Sequence, residues 1–235
     1  MDYQFTITQK QIIMKKFTTS DASALVVWLI PIAYLLFTMH LLPASVPMHY
    51  DLNGKADRYG DKSEFLFFQI MVQGVALFAY LLLKFLPAID PKRQVKYGES
   101  TFQKLGLGLI LFLSALNIEI IFGALHHGFN AVKVILPIVG LLLAFIGNIM
   151  NSIKPNYFAG IRTPWTLESE DTWRATHRLA GKIWFAGGIL LTMLMLLVSP
   201  AVAKIVFTST VAIMVIIPVV YSYVYFKKHQ LDKNI

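Results

Sequence analysis

The stretch NSIKPNYFAGIRTPWTLESEDTWRATHRLAGK, residues 151–182, is the longest polar passage between two apolar runs. It carries Arg162, Arg174, His177 and Arg178, two tryptophans and a Thr163-Pro164 step. That density of Asn, Gly, Pro, Trp and Arg reads as a structured, interacting loop rather than a solvated tether. Gly160 permits a tight bend, and Pro164 holds Thr163 extended. Thr166 reads as a helix N-cap, with Glu168, Glu170 and Asp171 well placed for the first turn. A helix is expected from Leu167 to Lys182, with Trp173, Thr176, His177 and Ala180 recurring on one face. Arg174 and Arg178 form the next strip, and Glu170 stands four residues before Arg174. As an interfacial helix it would put Trp173 at the headgroups and aim the arginines at lipid phosphates.

Outward from this loop lie six apolar runs: Ala22 to Leu42, Phe65 to Leu86, Leu105 to Leu125, Val132 to Met150, Ile183 to Ser199 and Ile205 to Phe226. A span needs about 20 residues. In hydrocarbon each run must satisfy its own backbone hydrogen bonds, which makes helices the expected form. Pro31, Pro137 and Pro218 should kink these helices, with neighbours taking up the freed carbonyls. Of 235 residues, 56% are hydrophobic and 14% charged, against about 25% charged in a soluble domain; mean hydropathy is +0.60. The expected fold is all-α: a polytopic membrane bundle of about six transmembrane helices, with the amphipathic helix in loop 151–182.

The first apolar run has no small-residue cleavage motif and is expected to stay as an anchor. The absence of cysteine excludes disulfides and thiolate sites. No nucleophile elbow and no HExxH appears, so no enzyme is expected, nor any cofactor or metal. The net charge of +8 reads as basic cytoplasmic loops rather than a nucleic-acid surface. Lys10, Lys15, Lys16, Lys92, Arg93, Lys96, Lys104, Lys154, Arg162, Arg174, Arg178, Lys182, Lys227, Lys228 and Lys233 fall on one side. Lys55, Arg58, Lys62, Lys133 and Lys204 fall on the other. Both termini are therefore expected in the cytoplasm. Lys84 sits near the basic end of the second run, where it can snorkel.

The first loop, residues 43–64, then faces outward. Asn53-Gly54 is a hairpin-turn dipeptide, and Ser63 with Glu64 can cap the second helix. His49, Asp51, Asp57 and Asp61 could gather at the turn, but without metal-ligand spacing. Inside the membrane, Asn117 and Glu119 are costly groups that should face a cavity or a partner. His126-His127 closes the third run, and Asn148 with Asn151 shares a face able to pin the fourth helix to a neighbour.

At these residues the sequence resembles a known family. The 151–182 run is similar to the signature of the SdpI family of bacterial immunity proteins, through Asn156, Gly160, Arg162, Thr163, Pro164, Trp165, Thr166, Trp173, His177 and Gly181. VPMHYDLNGKADRYGDK, residues 46–62, resembles an uncharacterised membrane domain often found ahead of that signature, through Pro47, His49, Gly54 and Asp57. With the charge count and the apolar runs, the resemblance divides the chain into an expected cytoplasmic N-tail (1–21), an N-terminal membrane region (22–125), an SdpI-like membrane region (126–226) and a cytoplasmic tail (227–235). It implies a membrane protein protecting a Gram-positive producer from its own secreted SdpC-like peptide toxin. In the founding system the immunity protein also recruits a cytoplasmic transcriptional repressor to the membrane. His49, Asp57 and Glu119 are then candidate toxin contacts, and Arg162, Thr166, Trp173 and His177 candidate partner contacts. Pro47, Gly54, Asn156, Gly160, Pro164 and Gly181 are candidate structural positions. An alternative reading is a small membrane transporter or ion-coupled exporter, with Glu119, Asn117 and Asn148 along its path.

Overall fold

The computed structural model describes residues 17–51, 53–89, 99–126 and 128–231. The N-tail lysines, Lys92, Arg93, Lys96, His127 and Lys233 lie outside them. The elements in order are α1 (Thr19–Thr38), a 3-10 turn (Met39–Leu41), β1 (Val46–Tyr50), β2 (Ala56–Gly60), α2 (Lys62–Ile89), α3 (Glu99–Leu125), α4 (Val132–Met150), α5 (Pro164–Glu168), α6 (Glu170–Leu197) and α7 (Pro200–Leu231). Six of the helices, all but α5, are long and apolar enough to cross a membrane, with mean hydropathy between 1.8 and 2.3. The chain is a multi-pass helical membrane protein, and its described sheet is the single β1–β2 hairpin.

The fifth span departs from its expected start. Its apolar run begins at Ile183, but the helix begins at Glu170 and runs unbroken to Leu197. The helix expected over 167–182 is therefore the head of α6, not a separate interfacial segment. Its polar residues Thr172, Thr176 and His177 are buried together with Trp173 and Ala180, so this stretch packs on the bundle in spite of its low hydropathy.

Packing divides around α3. Helices α1 and α2 both lean on α3 and scarcely touch each other, whereas α4 and α6 form the closest pair and α7 lies along α6. The α4–α6 seam is made by small residues. A Cβ at Gly147 would stand 2.3 Å from the Phe185 nitrogen, and one at Gly188 would stand 2.4 Å from the Ala144 nitrogen. Close backbone approach of this kind is how helices gain contact where lipid removes the hydrophobic drive. Asn148 and Asn151 are exposed, so the expected amide pin of α4 is replaced by this glycine seam.

Two polar devices brace the spans. At the head of α1, Thr18 and Asp21 cap the helix reciprocally. The Asp21 carboxylate also accepts from Tyr80 at 2.8 Å and pairs with Lys84 at 2.7 Å. Lys84 thus turns inward to a buried partner on α1 rather than snorkelling; the Asp21 side chain is 6% exposed and that of Lys84 12%. The second device answers a proline. Pro218 has no N–H for the Met214 carbonyl four residues earlier, and the Trp184 indole of α6 donates to that carbonyl at 2.8 Å. All four tryptophans donate across a junction: Trp28 to the Gln73 carbonyl, Trp165 to the Ser222 hydroxyl, Trp173 to the Ile153 carbonyl and Trp184 to Met214.

Candidate functional site

Two faces of the bundle carry organised polar structure. On the first, the chain between α4 and α6 is tied down by a few side chains. Buried Asn156 makes four bonds: its amide donates to the Lys154 and Ala159 carbonyls at 2.7 and 3.1 Å, and its oxygen accepts from Phe158 and Ala159 N–H at 2.7 and 2.8 Å. Gly160 follows with φ +116, and a Cβ there would meet His177 Nε2 at 2.4 Å. The next N–H, of Ile161, donates to that same Nε2 at 3.0 Å. The other ring nitrogen lies 2.8 Å from the Trp173 carbonyl. One nitrogen accepting and the other donating makes His177 a neutral imidazole protonated at Nδ1. Its ring stacks on Trp173 at 4.1 Å, and the Trp173 indole donates to the Ile153 carbonyl at 2.8 Å.

The capping differs from the expectation. Thr163, not Thr166, is the N-cap of α5, with Pro164 at its first position. Thr166 reciprocates: its hydroxyl accepts the Thr163 N–H at 2.9 Å and donates to the Ile161 carbonyl at 2.8 Å. Ser169 then caps α6, with Glu170 and Asp171 in the first turn. Of the four candidate partner contacts, Thr166, Trp173 and His177 are buried and engaged within the chain. Trp173 is 1% exposed and packs inside the protein, so its ring is not presented to lipid headgroups. Arg162 is exposed, its guanidinium donating to the Tyr157 carbonyl. Lys154, Arg174, Arg178 and Lys182 are exposed as well, so the loop carries a basic rim over a buried knot. Glu170 and Arg174 form the expected i,i+4 pair at 2.5 Å.

The opposite face is built on the hairpin. β1 and β2 pair antiparallel with irregular register after Pro47, and Gly54 takes φ +78 at the turn. Asp51 accepts from the Asn53 and Lys55 N–H groups at 2.8 and 2.9 Å. The Lys55 backbone bond, with the Asn53 bonds, holds its carboxyl below the usual range. Asp61, rather than Ser63, caps α2: it accepts from the Ser63 hydroxyl and the Glu64 N–H. Those bonds lower its carboxyl too, the Ser63 bond most. The turn docks on the rest of this face through Asn130 to the Asn53 carbonyl, Ala131 to the Gly54 carbonyl, and Lys204 to the Asn53 side chain.

Beneath the hairpin is a cup of about 370 Å³ walled by Pro47, Tyr50, Tyr59, His126 and Phe129. His49 and Asp57 are brought together at 2.6 Å, but they are exposed and do not line the cup. Asp51 and Asp61 each serve their own turn, and among the described residues no three His, Asp or Glu side chains converge. Glu119 is buried, with one carboxylate oxygen unpartnered. Tyr50 lies within its electrostatic reach: burial, with the Glu119 charge added, pushes the Tyr50 hydroxyl up to about 12. The sequence reading missed Tyr50 and the buried amides Gln69 and Gln73. The four-residue spacing of two glutamines in an otherwise apolar run was the available signal.

Comparison with known proteins follows these two faces. Residues 152–222 match the SdpI/YfhL protein family, and residues 26–73 match a domain of unknown function, DUF1648. The first range contains the buried knot and the second the hairpin. A protein of Bacillus subtilis (strain 168), "Immunity protein SdpI", is 28% identical over 120 residues, covering 51% of this chain and 58% of the relative. The aligned part is thus little more than half of either protein. No solved structure matches the chain.

Proposed function

From a chain that carries an SdpI/YfhL-family region behind a DUF1648 region, we propose a membrane immunity protein that protects its host against a secreted SdpC-like antimicrobial peptide. The observation that carries this reading is the similarity to an immunity protein over 120 residues, together with the family match over the knot. The distribution of Lys and Arg supports both termini in the cytoplasm, with the hairpin cup outside. The cup and the His49–Asp57 pair then face incoming peptide, and the basic rim around Arg162 faces the cytoplasm. Occupancy outside would shift a two-state bundle and change how the rim presents itself to a cytoplasmic transcriptional repressor. In this reading Asn156, Gly160, Thr166, Trp173 and His177 hold the rim in shape, and Arg162 makes the contact.

The test is a killing assay in a sensitive Gram-positive host challenged with an SdpC-like peptide. Wild type, His49→Ala and Arg162→Ala are compared at matched membrane abundance. Protection by wild type, lost in His49→Ala, is the expected result. Arg162→Ala should keep protection but lose co-sedimentation of the repressor with membranes. Full sensitivity of cells holding normal amounts of wild-type protein would overturn the proposal.

A further inference from the structure

The cup beneath the hairpin holds about 370 Å³, near the low end of the roughly 300–1,000 Å³ of small-ligand pockets. That is room for a residue or two of a peptide, not for a helix. Its aromatic wall is a locked cluster. Phe129 meets the Tyr50 ring edge-on at 6.3 Å and the Phe122 ring at 5.7 Å, and His126 stacks on Phe122 at 3.8 Å. Tyr59, on β2, adds a ring that is still 57% exposed.

The polar groups at the cup are reachable. Lys55 lines it, is exposed, and makes no ion pair among the described residues. Asp51 lies within electrostatic reach of that ammonium, but its oxygens are engaged by Asn53 and by the backbone N–H of Lys55. Among the described residues no Asp or Glu lines the cup, so the charge on its surface is positive. His126 Nδ1 lies 2.8 Å from the Phe122 carbonyl and donates to it, which leaves Nε2 of the neutral ring as an acceptor.

We propose that the cup captures the C-terminal residue of an extracellular peptide, an apolar last side chain entering among the rings of Tyr50, Tyr59 and Phe129 while its carboxylate meets the Lys55 ammonium. An internal Asp or Glu carries its carboxylate on a short stem with no apolar body beside it. A chain end has both on one Cα, and this cup offers the complement, a cation set in an aromatic wall. His126 Nε2 then accepts the N–H of that last residue. Capture of a terminal carboxylate is a recurrent way to read a peptide, and a wall locked in advance saves part of the ordering cost of binding. The outward placement of the cup, and the identity of the natural peptide as a secreted toxin, rest on the immunity reading above.

The experiment titrates the full-length protein in lipid nanodiscs into a hexapeptide ending in Leu-Phe, carrying a neutral dye at its N-terminus, as free acid and as C-terminal amide. Anisotropy reads binding, with empty nanodiscs as the blank. The acid should bind about tenfold tighter than the amide, the low end for a hydrogen bond to a charged group. Lys55→Met should erase that preference by weakening the acid alone. Tyr59→Ser should weaken acid and amide alike, about fivefold. Both side chains are exposed, and Lys55 holds Asp51 through its backbone, so the hairpin keeps its turn in each variant. Equal binding of acid and amide, no binding of either, or an acid preference that survives Lys55→Met would overturn the proposal. So would displacement of the hexapeptide by less oleate than by its own unlabelled form, which would make the cup a lipid site. A killing assay separates the two readings. Protection without an acid preference ends the cup proposal and leaves immunity standing; an acid preference in a protein that protects no cell does the reverse.

Discussion

Replacing Asn156 with aspartate changes one NH2 to one oxygen and leaves volume and shape alone. The two bonds accepted by the side chain, from Phe158 and Ala159 N–H, survive. The two it donates, to the carbonyls of Lys154 and Ala159, become oxygen facing oxygen. Each donated bond lost beside the buried Asn156 side chain costs about 1–3 kcal/mol, so the pair costs about 2–6 kcal/mol, toward the lower end where water reaches the half-buried carbonyls. For a chain of this size each kcal/mol moves the melting point by about 2–4 °C. Asn156→Asp should therefore lower the Tm of detergent-purified protein by roughly 5–20 °C in a circular-dichroism melt. Asn151→Asp, at an exposed position five residues earlier, should stay within about 0.5 kcal/mol. The Asn156→Asp defect should also narrow in acid, because a protonated carboxyl can donate to one of the two carbonyls. Equal melting points for the two variants would refute the view that this amide holds the loop.

Lys84→Met removes the countercharge of Asp21, which keeps its Thr18 and Tyr80 bonds, and should cost about 3 kcal/mol, the low end for a broken buried pair, with Asp21→Asn/Lys84→Met recovering much of it; a double-mutant cycle on thermal unfolding reads both. Gly160→Ala combines a rarely tolerated φ with contact on His177 and should cost about 1–3 kcal/mol from the backbone alone, visible as early proteolysis between α4 and α6. Gly147→Leu forces α4 and α6 apart at a backbone contact; overpacking costs about 1–3 kcal/mol, and the variant should fail to reach wild-type abundance. Asp51 and Asp61 are held below the ordinary value of 3.8, so the stability they lend the hairpin is present above that value and lost as pH falls through their lowered ones. Hydrogen-exchange protection at the Lys55 and Glu64 amides should therefore drop in acid, and Asp51→Asn should reproduce the Lys55 loss at neutral pH. Unchanged protection would remove these carboxylates as the turn's anchors.

The spans were legible because apolar runs of the required length leave a helix no alternative in lipid, and the hairpin because Asn53-Gly54 tolerates the turn. The face Trp173, Thr176, His177 and Ala180 was legible in its spacing, and all four residues are buried. Its role was not. Hydropathy places the fifth span at Ile183, but the helix begins a full thirteen residues earlier, at Glu170, where Ser169 caps it and Trp173, His177 and Ala180 pack into the bundle. Lys84 near a helix end looks the same whether it reaches for water or for Asp21, and the choice depends on which helix lies beside it. Asn148 drew attention on α4 as a polar group, while its neighbour Gly147 makes the seam by having no side chain. Sequence spacing names the faces of a helix; it does not say which face has company.

The placement of the tryptophans also gives the protein a built-in optical readout. Each indole N–H ends on a different junction: α1 with α2, α5 with α7, the loop with α6, and α6 with the proline gap of α7. Variants keeping one tryptophan and carrying phenylalanine at the other three would each emit from a single junction. Followed together on heating or on addition of peptide, their spectral shifts would give the order in which the bundle comes apart.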